Sequence, residues 1–169
     1  MTTQAKSLVC FAHGKESGPW GPKITLLAEV ARARGFEVMS PDYSRSHDPH
    51  ERVSMLLALA PRAGRLVLVG SSMGGYVSAM ACAALRPQAL FLMAPALYFP
   101  GWDEEPQACP PLTVVAHGWK DDVVPVERSL RFAQARKAAL HLFDSGHTLT
   151  DQLPRLALLF DDLLGQVAL

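Results

Sequence analysis

Two serines stand side by side in VGSSMGG, residues 69–75, and the glycines around them single out one. A serine hydroxyl becomes a nucleophile only when a neighbouring base takes its proton, usually a histidine that a carboxylate orients. Gly70, Ser72 and Gly74 fit G-x-S-x-G, between the apolar run RLVLV and the helix-like MGGYVSAMACAAL. On so sharp a strand-to-helix turn the chain crowds the residues two before and two after the serine, so both must be small. Framed on Ser72, these positions are glycines; framed on Ser71, they are Val69 and Met73, which would clash. Ser72 is the candidate nucleophile. The plainer reading is a serine that caps a helix. A phosphate-cradling loop fits poorly, because GSSMGGYV lacks the P-loop lysine and does not match G-x-G-x-x-G.

Six histidines compete for the role of base. His141 lies inside a predicted strand and reads as a packing residue. His47 and His50 lie in the polar stretch SRSHDPH and read as solvated, while His13 reads as a structural group in the turn FAHGKESG. His147, in DSGHTLTD, directly follows the last predicted strand and precedes the last helix, with Gly146 giving the turn freedom to aim the ring. Loops at the carboxyl ends of parallel strands are where catalytic groups gather in open α/β sheets. The acid should come from another such loop. AHGWKDDVVP offers Asp121 and Asp122, and the spacing H-G-x-x-D-x-x-V-P selects Asp121. Asp144 is a distant second, too close to His147 in sequence to sit at a separate strand end.

These residues need a parallel sheet to position them. Short, nearly continuous apolar runs recur at 7–12, 36–40, 65–70, 89–94, 112–116 and 139–143, as strands buried on both faces require. Between them lie helical patterns near 22–34, 50–60, 72–85, 127–137 and 151–164, the first closed by Gly35. That alternation predicts an α/β chain with a parallel sheet between helices, and the span 1–169 reads as one domain. One connection is unusual: residues 95–111 carry five prolines, have no helical period and are too short for a second domain.

Composition excludes several classes. Apolar residues make up 49% and charged residues 19% of 169 residues, with formal net charge zero, so this is globular material. No basic run exists to gain affinity from nucleic acid or an acidic membrane surface, and no apolar segment is long enough to span a bilayer. The N-terminal MTTQAKSLVCFAHG fails as a signal peptide, so the cytoplasm is the expected location. Three widely spaced cysteines, Cys10, Cys82 and Cys109, suggest neither a disulfide framework nor a metal site.

Taken together, the Ser-Asp-His order, G-x-S-x-G after the third predicted strand, HGWKDDVVP and SGH resemble the α/β-hydrolase superfamily over essentially the whole chain. More narrowly, they resemble its small, lidless serine esterases. The resemblance implies a minimal fold of about six mostly parallel strands without a cap domain. The extra antiparallel hairpin of many members is not expected here, since the chain starts almost directly at SLVCFA. It implies hydrolysis of a small-molecule carboxylic ester, with no organic cofactor and no metal. Ser72 would attack, His147 would act as base, and Asp121 would support the imidazolium. It also implies an oxyanion hole from the backbone amides of Met73 and Lys15, the latter in the H-G-x turn after the first strand. Thioester hydrolysis uses the same steps, and a non-catalytic binding protein on the same scaffold is the alternative of a different class. Tyr98 and Trp102, with Trp20 and Trp119 on neighbouring turns, are candidates to line an open, shallow substrate groove. The other reading is that such aromatics pin the 95–111 loop to the body.

Overall fold

A computed structural model describes residues 6–167 of the chain. Six strands are described: β1 (Ser7–Ala12), β2 (Glu37–Met39), β3 (Arg65–Ser71), β4 (Ala89–Met93), β5 (Leu112–Gly118) and β6 (Ala139–Phe143). They form one all-parallel sheet in the order β2-β1-β3-β4-β5-β6. The helices are α1 (Pro22–Ala33), α2 (Pro49–Leu59), α3 (Met73–Leu85), α4 (Val126–Arg136) and α5 (Leu153–Val167).

Strand side chains alternate between two cores, which is why the apolar runs are continuous in sequence. In β3, Val67 and Val69 join Phe11, Phe91 and Phe160 under α1 and α5. Leu66 and Leu68 point the other way, towards Tyr76, Val77 and Phe132 of α3 and α4. Phe160 is fully buried, with its ring centroid 5.2 Å from that of Phe91 and 6.5 Å from that of Phe11.

Local signals set the helix boundaries. Pro22 starts α1, and its end is a Schellman turn in which the Gly35 amide donates to Arg32 O and the Phe36 amide to Ala31 O. Gly35 takes the left-handed conformation this closure needs, at φ +78°. The carboxylate of Asp48 caps α2 by accepting from the amides of His50 and Glu51, a device worth about 1 kcal/mol.

Some elements differ from the sequence reading. The second strand pairs over three residues only, because it is a partly exposed edge and Pro41 can add no N–H to the ladder. The fifth strand does not stop at Ala116; His117 and Gly118 stay in the ladder opposite Leu142 and Phe143. A 3-10 turn, Thr150–Gln152, precedes the last helix.

Residues 95–111 are irregular, as their prolines imply, apart from a bridge between Phe99 and Trp102. The segment is tied down: Arg128 donates to the carbonyls of Leu97 and Tyr98, and its guanidinium lies 3.9 Å from the Phe99 ring centroid. Tyr76 donates to Glu104, and His50 meets the same carboxylate at 3.0 Å. His50 is exposed, as expected of a solvated ring, and also anchors this loop. No helix of the described residues is long and apolar enough to cross a membrane.

The chain leaves β1 in one direction for β2 and then crosses to β3 on β1's other side. That reversal opens a crevice beyond the carboxyl ends of β1 and β3. Ser72 stands at its edge.

Candidate active site

Ser72 is held in a conformation that L-residues rarely adopt, φ +55° and ψ −120°. Its amide donates to Met93 O at 3.0 Å, and its carbonyl accepts from Gly75 and Ala96. The surrounding glycines are required by contact. A Cβ on Gly74 would lie 1.9 Å from Ala12 O, because the turn leans on the end of β1, and a Cβ on Gly70 would lie 2.2 Å from Gly74 O. Backbone strain of this sort costs of order 1–3 kcal/mol and persists only where the surroundings enforce it. Here the strain exposes one hydroxyl at the sheet edge.

The loop after β6 brings His147 to that hydroxyl, with Nε2 3.0 Å from Ser72 Oγ. Its Nδ1 lies 2.7 Å from Asp121 Oδ2. The carboxylate can only accept, so Nδ1 carries the proton and Nε2 is free to accept from the serine. Gly118 lets the acid loop and the histidine loop touch, since a Cβ there would meet Ser145 O at 2.1 Å.

The Asp121 side chain is inaccessible to solvent. Oδ1 accepts from the amides of Val123 at 2.9 Å and Val124 at 2.7 Å. Burial pushes the carboxyl up, but hydrogen bonds from the Val124 amide, His147 and the Val123 amide outweigh it and hold the group below its usual range. Asp122 is exposed, and Asp144 pairs with Lys120 on the surface at 2.6 Å.

Behind Asp121 lies a residue that sequence reasoning passed over. His117 is fully buried, and its Nε2 lies 3.0 Å from Asp121 Oδ2 and 2.9 Å from Val124 O. Its Nδ1 accepts from the Ser129 hydroxyl at 2.7 Å. Burial lowers its pKa, so the ring is neutral and Nε2 is a donor.

The turn after β1 brings Lys15 to the same cleft as Met73. Among the described residues neither amide has an acceptor. His13 is buried, accepts from the Tyr43 amide through Nε2 and donates from Nδ1 to Gly14 O at 2.8 Å. Arg52, also fully buried, donates to the carbonyls of Ser46, His13, Gly14 and, at 3.5 Å, Lys15. These bonds fix the turn that carries Lys15 into the cleft. The only sequence signal for Arg52 is its spacing from Leu56 on the buried face of α2.

A cleft of about 560 Å³ opens over Ser72 and His147, walled by Phe99, Trp102, Val123 and Val124. Trp102 lines it, stacked on Phe99 with 5.3 Å between centroids. The other three aromatic candidates do not. Tyr98, at φ +58°, turns into the core, where it donates to Glu105 and lies under Arg131. Trp20, half exposed beside Arg32, and Trp119, 57% exposed, lie outside the cleft. Those assignments are corrected: backbone direction decides where an aromatic points, and a sequence does not show it. Among the described residues, no cluster of three or more His, Cys, Asp or Glu could hold a metal ion.

The family described as Uncharacterised protein family (UPF0227) matches residues 8–104, more than half of the chain. No curated protein matches. A Xanthomonas campestris pv. campestris protein of the alpha/beta superfamily superposes with a TM-score of 0.86 at 33% identity, covering 95% of this chain and 99% of its own. Est1E from Butyrivibrio proteoclasticus gives 0.82 at 18% identity, over 96% and 88% of the two chains. A serine hydrolase without lid from Xanthomonas campestris gives 0.67 at 21%, over 98% and 85%.

Proposed function

The chain belongs to the UPF0227 family and to the α/β-hydrolase superfamily, and we propose that within them it is a serine hydrolase of short-chain carboxylic esters. The observation that carries this reading is the unbroken line Ser72 Oγ, His147 Nε2, His147 Nδ1, Asp121 Oδ2, with gaps of 3.0 Å and 2.7 Å. Ser72 attacks the acyl carbonyl as His147 takes its proton. Asp121 stays ionised, holds the Nδ1–H tautomer and stabilises the imidazolium. The carbonyl oxygen becomes an oxyanion, and the amides of Met73 and Lys15 receive it, each worth roughly 3 kcal/mol of transition-state stabilisation. His147 then protonates the leaving alcohol. Water, activated by the same ring, releases the acid and restores Ser72. Every step uses groups of the chain, the ester and water.

The wall of the cleft supports the short-chain preference. Phe99 and Trp102 bound one side, and no helix of the described residues stands between β4 and β5 to roof the groove. Each methylene buried in a tunnel adds about 0.8 kcal/mol, nearly fourfold in kcat/KM. An open groove loses that gain after a few carbons. A series of 4-nitrophenyl esters of increasing acyl length, each below its aggregation limit, tests the reading. The rate constant should peak at short acyl groups and vanish in S72A. A continued climb into long chains, or a surge on emulsified triglyceride, contradicts it.

A further inference from the structure

A smaller recess of about 170 Å³ adjoins the cleft at the N-terminus of α1. Lys23, Ser17, Ser71 and Thr148 line both cavities, so the two meet around these side chains. Three features of the recess have no use in the chemistry above. Lys23 has neither an ion pair nor a side-chain hydrogen bond among the described residues, although it sits partly buried in the wall. Ser71 is 6% exposed, lines both cavities, and its hydroxyl has no partner among the described residues. The first turn of α1 is also uncompensated: its N-cap is Gly21, no side chain caps it, and no acidic residue lies in it.

Each feature draws negative charge. The amides of Lys23 and Ile24 have no acceptor among the described residues, and they stand at the positive end of a 12-residue helix. Burial brings the Lys23 ammonium down to about 8 against the opposing pull of the Asp121 carboxylate, so it remains charged at neutral pH and can gain from an anion that replaces its lost water. A free ammonium, a free hydroxyl and two free amides around a small recess match a planar monoanion. Glu16, on the wall of the same cleft, opposes a second negative charge and favours a carboxylate over a phosphate dianion.

We propose that this recess is a carboxylate subsite, built from Lys23, Ser71 and the N-terminus of α1, and that the preferred substrates are esters carrying a free carboxylate. The inference rests on the ester-hydrolase reading for its choice of ligand. It assigns Ser71 a job distinct from that of its neighbour: one serine reacts and the other helps hold the far end of the substrate. The recess meets the cleft beside Ser72, so one molecule can present its ester to Ser72 and its carboxylate to Lys23.

Two ester pairs matched in size test it with wild type, K23Q and K23R. Mono-4-nitrophenyl adipate against 4-nitrophenyl hexanoate places the carboxylate on the acyl side, and 3-acetoxybenzoate against 3-acetoxybenzamide places it on the leaving side. The anionic ester should be preferred in at least one pair, and K23Q should reduce that preference by about tenfold or more, the scale of a lost charge-assisted hydrogen bond. K23R, which keeps the charge, should retain most of it, and S71A should lower it by a smaller factor. A preference for the neutral ester in both pairs, or a ratio that K23Q leaves unchanged, overturns the subsite. Calorimetric titration of adipate and of neutral adipamide into S72A separates the two readings. Lys23-dependent binding of adipate with no turnover of any ester would sink the hydrolase reading and keep the subsite. Ester turnover without such binding would do the reverse.

Discussion

The tripeptide Ala-His-Gly occurs twice, at 12–14 where β1 ends and at 116–118 in β5, and the two copies do different work. Both histidines are buried, and burial holds both below the usual histidine range, so both rings are neutral. The ring of His13 hydrogen-bonds to backbone, the Tyr43 amide and Gly14 O, with the Asp42 carboxylate at 3.7 Å from Nε2. It fixes a turn and therefore the direction of an amide. The ring of His117 reaches side chains, Asp121 on one nitrogen and Ser129 on the other. It fixes a carboxylate. The same local chemistry tucks each imidazole under the sheet edge. What each then orients depends on the residues that follow: Lys15 with a free amide in one case, Asp121 in the other.

The acid turn should break hardest. D121N removes the partner that sets the His147 tautomer and should lower kcat by roughly 10³–10⁴-fold. D122N, at an exposed position one residue on, should change it by no more than about threefold, within the range of surface changes. Steady-state kinetics on 4-nitrophenyl acetate reads both. A dominant effect at Asp122 would move the acid by one residue and undo the role given to His117.

The amide turn should break less completely. R52K keeps a cation but loses the fork that holds the carbonyls of Ser46, His13 and Gly14. A misaimed Lys15 amide should lower kcat by about 10–100-fold, at or below the cost of deleting an oxyanion donor, with KM little changed. If kcat stays at the wild-type value while only thermal stability falls, Arg52 serves the fold and not the amide.

The smallest effect shows what the turns share. A histidine kept neutral by burial takes up its proton in the unfolded chain, near the ordinary value of 6.5, and refuses it in the fold. Stability from both rings is therefore complete above about pH 6.5 and drains away as pH falls. Asp121, held below its usual 3.8, extends the loss in the same direction at lower pH. Urea midpoints measured from pH 7.5 down to pH 5 should fall, and H13Q and H117Q should each flatten the slope. A slope unaltered by either substitution would mean that the rings take up protons alike in the folded and unfolded chain, contradicting the burial effect.

The contrast also marks what was legible in the sequence. The places of Ser72, His147 and Asp121 at three strand ends could be read because each sits in a local pattern: glycines two residues either side, a glycine before the ring, a fixed step after H-G. Elements were legible for a similar reason, since apolar runs and caps are local. Arg52, Lys23 and Tyr98 were not. Arg52 resembles any arginine on an amphipathic helix until the carbonyls it holds, from the end of β1 and from 46, come together. Tyr98 looked like a cleft aromatic until φ +58° turned it into the core beneath Arg131. Lys23 is a surface lysine on paper and a cleft residue only once α1 points its first turn at Ser71.

Reaction with a fluorophosphonate reports whether Ser72 is an activated nucleophile. The reagent forms a stable adduct only with a serine whose base and oxyanion donors are in place. Intact-mass and peptide analysis of the treated protein should show a single adduct, on Ser72, formed in wild type and slowed severely in D121N. No adduct, an adduct on Ser71, or equal labelling rates in the two proteins would contradict the account.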